Sequence, residues 1–300
     1  MAADQVVLLT GGTSGIGRAA AERLAARGAT VLFTGRDRAA GEEALAAVRS
    51  AHPESDGAFY RADFADFDAV RRLARDVRAD CDRLDALVNN AGTSRDRRRT
   101  TESGVELTFA VNHLAPFLLT NLLAPRLRES APARVVTTTS ALHRRGSLSD
   151  LDAVVRGEEF DGLDAYADSK LANVLFTVEL ADRLAGTGVT ANCVHPGWIP
   201  QTDLVRNAKG FSRLFTTAAA LVAGVVPVGP FESVDGAAEA LVYLTTSDAV
   251  ADVSGAYFDR RERATPAEAA TDSELQRRLW ERSAELTGLP ASVPEGDPVE

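Results

Sequence analysis

The chain has 300 residues, 45% hydrophobic and 25% charged, a composition that excludes disorder as the main state and suffices for an extensive core in one or two domains. Its formal net charge of -10 argues against nucleic acid as a partner, because binding to a phosphate backbone depends on basic surface. Two cysteines, Cys81 and Cys193, cannot build a disulfide framework, and no Cys/His cluster at metal-ligand spacing accompanies them.

The first half alternates short β-branched runs with segments of helical period. Val6 to Thr10 precedes Gly15 to Arg27, Thr30 to Phe33 precedes Ala39 to Ala51, and Ala58 to Arg61 precedes Asp66 to Ala79. Leu84 to Asn89, Arg134 to Thr138 and Val189 to Val194 continue the strands, with helical stretches around Phe109 to Leu127 and before Val189. This order predicts an α/β fold, a single doubly wound Rossmann-type domain whose parallel sheet is flanked by helices on both faces. The domain spans residues 1–289, and 290–300 read as a C-terminal tail. Residues 144–162 form a polar excursion. Residues 198–232 are unusually apolar, with Phe211, Leu214 and Phe215, and read equally as a substrate lid or a buried helix pair. Met1 to Gln5 lead straight into the first strand without a basic n-region or cleavage site, and no apolar run reaches membrane-spanning length, so the expectation is a cytoplasmic protein without an integral membrane segment.

Thr10-Gly11-Gly12-Thr13-Ser14-Gly15-Ile16-Gly17 lies between the first strand and the first helix. There glycines let backbone approach a pyrophosphate, and the helix N-terminus offers free N–H groups. Gly11, Thr13, Ser14, Gly15, Ile16 and Gly17 are therefore candidate dinucleotide-binding residues. After the second strand the chain reads Phe33-Thr34-Gly35-Arg36-Asp37. Gly35 removes the carboxylate that would hold both ribose hydroxyls of NAD, and Arg36 supplies a guanidinium for a 2′-phosphate, which favours NADP(H). The alternative makes Arg36 a solvated charge and gives the ribose to Asp37. Asp63 either accepts from the adenine amino group or caps the helix beginning near Asp66. Asn89-Asn90-Ala91-Gly92 closes the next strand; Asn89, Ala91 and Gly92 could line the cofactor, or the segment is a tight turn.

Tyr166 and Lys170 stand four residues apart on one helix face. A nearby ammonium stabilises tyrosinate and is expected to lower the phenol toward neutral pH, so Tyr166 would be the acid in carbonyl reduction and the base in alcohol oxidation. Ser140 ends the Arg134 to Thr138 strand on the ligand-binding side, where it could hold a substrate oxygen or cap a turn. Asn112 is polar within an apolar helical segment and needs a partner, such as a water connected to Lys170. His143 and His195 read as packing or hydrogen-bonding residues, and Cys193 as a buried small hydrophobe.

The set Thr10-Gly11 through Gly17, Asn89 to Gly92, Asn112, Ser140 and Tyr166-x-x-x-Lys170 resembles the short-chain dehydrogenase/reductase family in order and spacing. Ser169 to Thr177, Gly186 to Thr190, His195-Pro196-Gly197, Ser254 to Phe258 and Leu279-Trp280 are similar to its retinol-dehydrogenase branch. The resemblance implies hydride transfer between NADPH and the carbonyl or alcohol carbon of a small apolar or aromatic alcohol, aldehyde or ketone. It gives the proton to Tyr166, the nicotinamide ribose to Lys170, the substrate oxygen to Ser140 and a relay water to Asn112. It also places Pro196, Gly197 and Thr202 at the nicotinamide end and implies a homo-oligomer. Ala115-Pro116 departs from the Gly-His of that branch. The stretch Trp198-Ile199-Pro200-Gln201-Thr202 is similar to protochlorophyllide reductases, which leaves a double-bond reductase as an alternative. Two more roles stay open: an NADP-binding sensor or scaffold without turnover, and an interaction surface built on Phe211 and Phe215.

Overall fold

A computed structural model describes residues 4–54, 56–199 and 232–295. Among the described residues eight strands form one sheet: β1 (Val6–Leu9), β2 (Thr30–Gly35), β3 (Ala58–Arg61), β4 (Ala86–Asn89), β5 (Ala133–Thr138), β6 (Val189–His195), β7 (Tyr257–Asp259) and β8 (Glu262–Ala264). Their order is β3-β2-β1-β4-β5-β6-β7-β8; every pairing is parallel except β7 with β8. The three-residue β7 and β8 are too short to carry a period in the sequence, and they add to the strands expected from it.

Alternation along each strand sends side chains to two separate cores. Leu8, Leu32, Leu87, Val135 and Ala191 face one layer, and Val7, Val31, Phe33, Val88 and Val194 face the other. Helices α1 (Gly15–Ala26), α2 (Arg38–Ala51) and α7 (Val234–Thr246) cover the second face. Helices α3 (Phe67–Asp80), α4 (Leu107–Glu129), α6 (Gly162–Arg183) and α8 (Ser273–Thr287) cover the first, and a short α5 (Leu151–Arg156) lies in the polar excursion.

Helix α4 is long and apolar enough by length and composition to cross a membrane, which corrects the expectation that no segment reaches that length. Nearly all of its surface is buried inside the fold, where Phe117, Leu118, Leu122 and Leu127 pack in the core. Its apolarity thus has a local explanation, burial on all sides. Phe117 and Phe176 also meet Trp280 of α8, whose ring lies 4.8 Å and 5.8 Å from theirs.

Candidate active site

The C-terminal ends of the six central and flanking strands open on one cavity of about 600 Å³. It crosses the point between β1 and β4 where strand order reverses, the place where ligands bind in open α/β sheets. Its lining includes Gly11, Thr13, Ser14, Gly15, Ile16, Gly17, Arg36, Asp63, Ala91, Gly92, Ser140, Tyr166, Lys170, Pro196 and Gly197. Thr202 and almost all of the apolar stretch 198–232, including Phe211 and Phe215, lie outside the described residues.

The β1–α1 turn leaves backbone donors facing the cavity. Ser14, the N-cap of α1, makes no side-chain cap hydrogen bond, whereas α2, α3, α6, α7 and α8 are capped by Asp37, Asp66, Asp161, Ser233 and Asp272. The first-turn N–H groups of α1 are thus left without a side-chain acceptor, as a pyrophosphate site requires. Gly17 is dictated by space, since a Cβ there would run into the Gly11 carbonyl oxygen and come within 2.6 Å of Asn90 Nδ2. Thr10 and Asn90, whose motif positions alone assign them no contact, hold this turn in place. Thr10 Oγ1 accepts from the backbone N–H groups of Asn90 and Ala91 at 2.9 and 3.0 Å, and Asn90 Nδ2 donates to the Thr10 carbonyl at 3.0 Å. Asn89 does not join them. Its side chain is buried away from the cavity and donates to Thr120 Oγ1 at 2.9 Å, because strand alternation turns neighbouring residues to opposite sides.

At the end of β2 the two candidates for the ribose separate. Asp37 is the N-cap of α2, its Oδ1 accepting from Ala40 N at 2.8 Å, and it is not part of the cavity lining; Arg36 is. A Cβ at Gly35 would come within 2.3 Å of the Thr13 methyl, so a carboxylate there would require the Thr13 side chain to move. Asp37→Ala is therefore expected to cost about 1 kcal/mol of stability and to leave the ratio of NADPH to NADH affinity unchanged; urea denaturation and parallel cofactor titrations read both. A shift in that ratio would return the ribose to Asp37. Asp63 lines the cavity and accepts from Ala65 N at 3.0 Å, and the cap of α3 is Asp66 itself.

Ser140 lies two residues beyond β5, at the N-cap of the turn Ala141–Arg144, and Tyr166 and Lys170 project from one face of α6, which brings the three to one cavity. The Ser140 hydroxyl is hydrogen-bonded to Tyr166 and also accepts from Leu142 N at 3.3 Å, so its capping and site roles coexist. Lys170 Nζ lies 5.5 Å from the Tyr166 ring centroid and donates to the Thr138 carbonyl at 3.0 Å. Burial pushes the Tyr166 phenol up to about 12, partly offset by Ser140, and pushes Lys170 down to about 8. The phenol thus moves opposite to the expected direction: both groups are buried, and loss of hydration outweighs the attraction between ammonium and phenolate.

The Asn112 side chain is satisfied by protein partners. Its Nδ2 donates to the Thr93 carbonyl at 2.9 Å and to Ser169 Oγ at 3.0 Å, and its Oδ1 accepts from Thr93 N at 2.7 Å. It sits in a π turn, Ala110–Leu114, where the Ala115 N–H reaches back to the Ala110 carbonyl. Pro116 follows and has no N–H to offer the Asn112 carbonyl four residues earlier. The side chain of Asn112 thus fastens the β4 loop to α6. His143, fully buried, faces the Ser140 carbonyl through Nδ1 at 2.7 Å, and its Nε2 accepts from Ala267 N at 3.0 Å. It braces Ser140 from behind, and burial holds its pKa below the usual value. His195 lines the cavity and is lowered to about 4, again chiefly by burial, while the Cys193 thiol beneath it is pushed up to about 12.

An open, doubly wound sheet with a glycine-turned helix N-terminus at its switch point defines a Rossmann-type fold. The family model for short chain dehydrogenase matches residues 5–211. Human retinol dehydrogenase 13 is 38% identical over 292 residues, covering 96% of this chain and 86% of that protein. A protein of uncharacterised function from Mycobacterium paratuberculosis superposes with a TM-score of 0.75 at 30% identity, covering 97% of this chain and 96% of its own. A short chain dehydrogenase from Burkholderia cenocepacia, solved in complex with NADP, gives 0.68 at 28% identity over 85% of this chain and 95% of its own. The chain belongs to the short-chain dehydrogenase family of oxidoreductases.

Proposed function

We propose that this protein is an NADP(H)-dependent oxidoreductase that interconverts the carbonyl and alcohol forms of an apolar or aromatic small molecule. The cofactor, when bound, supplies or accepts the hydride. The β1–α1 turn and the uncapped N-terminus of α1 hold the pyrophosphate, Arg36 holds the 2′-phosphate, and Asp63 accepts from the adenine amino group. Lys170 holds the nicotinamide ribose through its buried ammonium, with Pro196 and Gly197 beside the nicotinamide. Ser140 donates to the substrate oxygen, and Tyr166 gives its hydroxyl proton to that oxygen or takes it back. The carrying observation is that Ser140, Tyr166 and Lys170 line the same cavity as the glycine turn. Relatives named retinol dehydrogenase support a long apolar alcohol or aldehyde as the first substrate class to try.

Fluorescence titration with NADPH and NADH, followed by cofactor oxidation against apolar aldehydes, ketones and quinones, tests this reading. The expected result is preference for NADPH with turnover of at least one carbonyl class. Tight NADPH binding without turnover across the panel would replace it with a nucleotide-sensing role, and preference for NADH would remove the role given to Arg36.

A further inference from the structure

Arg36 shares the cavity with two other guanidiniums, Arg95 and Arg99, on the loop that follows β4. Arg18, Arg23, Arg27 and Arg83 each close on a carboxylate, but among the described residues Arg36, Arg95 and Arg99 form no ion pair. Arg95 Nε is moreover buried without a hydrogen-bond partner among them. Burial, and then the positive charges of Arg36 and Arg99, hold the Arg95 guanidinium below its usual range against the smaller opposing pull of Asp63 and Asp96, so Arg95 lies within the fields of the other two. Such repulsion destabilises the protein by itself and is relieved when an anion sits among the charges.

The main chain carrying these side chains is fixed. The Arg95 carbonyl lies over Gly162, where any Cβ would strike it, and the Arg99 carbonyl accepts from Leu107 N at 2.9 Å. On the other side Arg61 Nε donates to the Arg36 carbonyl at 3.0 Å. The backbone is therefore anchored on both walls while the cationic heads remain uncommitted. Planar guanidiniums from opposite walls suit a tetrahedral dianion, because each can donate two parallel hydrogen bonds to its oxygens.

We infer that Arg95 and Arg99 complete, with Arg36, a three-guanidinium site for a phosphomonoester on the ribose of an adenine nucleotide. Selectivity for NADP(H) is then shared between two loops and does not rest on Arg36 alone. The inference depends on the cofactor reading above, and the test separates the two. Adenosine 2′,5′-bisphosphate and adenosine 5′-monophosphate are titrated calorimetrically, at fixed ionic strength, into the full chain and into the Arg95→Gln/Arg99→Gln variant. The expected result is a loss of about tenfold or more in affinity for the bisphosphate, with the monophosphate within about twofold. Arg99→Gln alone, at an exposed position, is expected to show the same selective loss on a smaller scale and guards against damage to the fold. If the original chain prefers the bisphosphate while Arg99→Gln and the double variant keep that preference intact, the inference falls and the NADP(H) reading stands. If the original chain does not distinguish the two nucleotides, both fall.

Discussion

Tyr166→Phe is expected to lower kcat/KM about a thousandfold while leaving NADPH affinity within a factor of about two. The substitution deletes one oxygen from a side chain that is only 7% exposed and leaves the ring in its packing. What disappears is the proton held beside Ser140 and the hydroxyl dipole near Lys170. Because burial pushes the phenol up to about 12, it is protonated at neutral pH and set to donate, which suits carbonyl reduction. Alcohol oxidation requires a proton acceptor in the same place, so its rate is expected to rise with pH through the alkaline range while the reduction rate does not. Steady-state kinetics in both directions on one substrate pair reads this. Retained turnover in Tyr166→Phe would move the proton transfer to another group.

Lys170→Met is expected to cost at least about a hundredfold in kcat and, in the absence of cofactor, to make the protein more stable. Burial lowers Lys170 from 10.5 to about 8, so the folded state disfavours the ammonium. The unfolded chain binds more protons than the folded one between those two values, and stability from this group rises with pH across that window. Below pH 8 the penalty is complete, about 3 kcal/mol at about 1.4 kcal/mol per pKa unit. Above 10.5 it vanishes. Losing the hydrogen bond to the Thr138 carbonyl returns about 1 kcal/mol. A gain of a few degrees in Tm at pH 7 that disappears above pH 10.5 is the expected pattern in thermal melts of the two proteins. A lower Tm at pH 7 would mean that the ammonium is already compensated inside the fold. A buried lysine that destabilises the protein by itself is consistent with selection for what it binds rather than for folding.

The period of the apolar residues carried the fold, because a doubly wound sheet needs strands buried on both faces and helices with one apolar stripe, and both are local patterns. The glycines of residues 11–17 were equally legible, since their position at the first strand-to-helix junction leaves few other uses. Other residues needed the third dimension. Asp37 and Arg36 are neighbours in the chain, and only the capping hydrogen bond from Ala40 shows which of them is free to face the cavity. Asn89 and Asn90 are separated by strand alternation, whose register at the last residue of β4 cannot be read from composition. Arg95 and Arg99 had a visible signal, four arginines within residues 95–99 of an acidic chain, but a basic run is ordinarily a solvated face.

The sequence by itself determined the α/β class, the nucleotide turn, and the pairing of Tyr166 with Lys170 on one helix face, all of which depend on spacings of a few residues. The tertiary structure alone decided that Asn112 braces a loop, that His143 backs Ser140, that Arg95 and Arg99 share a cavity with Arg36, and that burial drives the phenol up and the ammonium down from their ordinary values. Those outcomes depend on which distant segments meet and how much water they exclude, and desolvation is a property of the assembled cavity rather than of any stretch of chain.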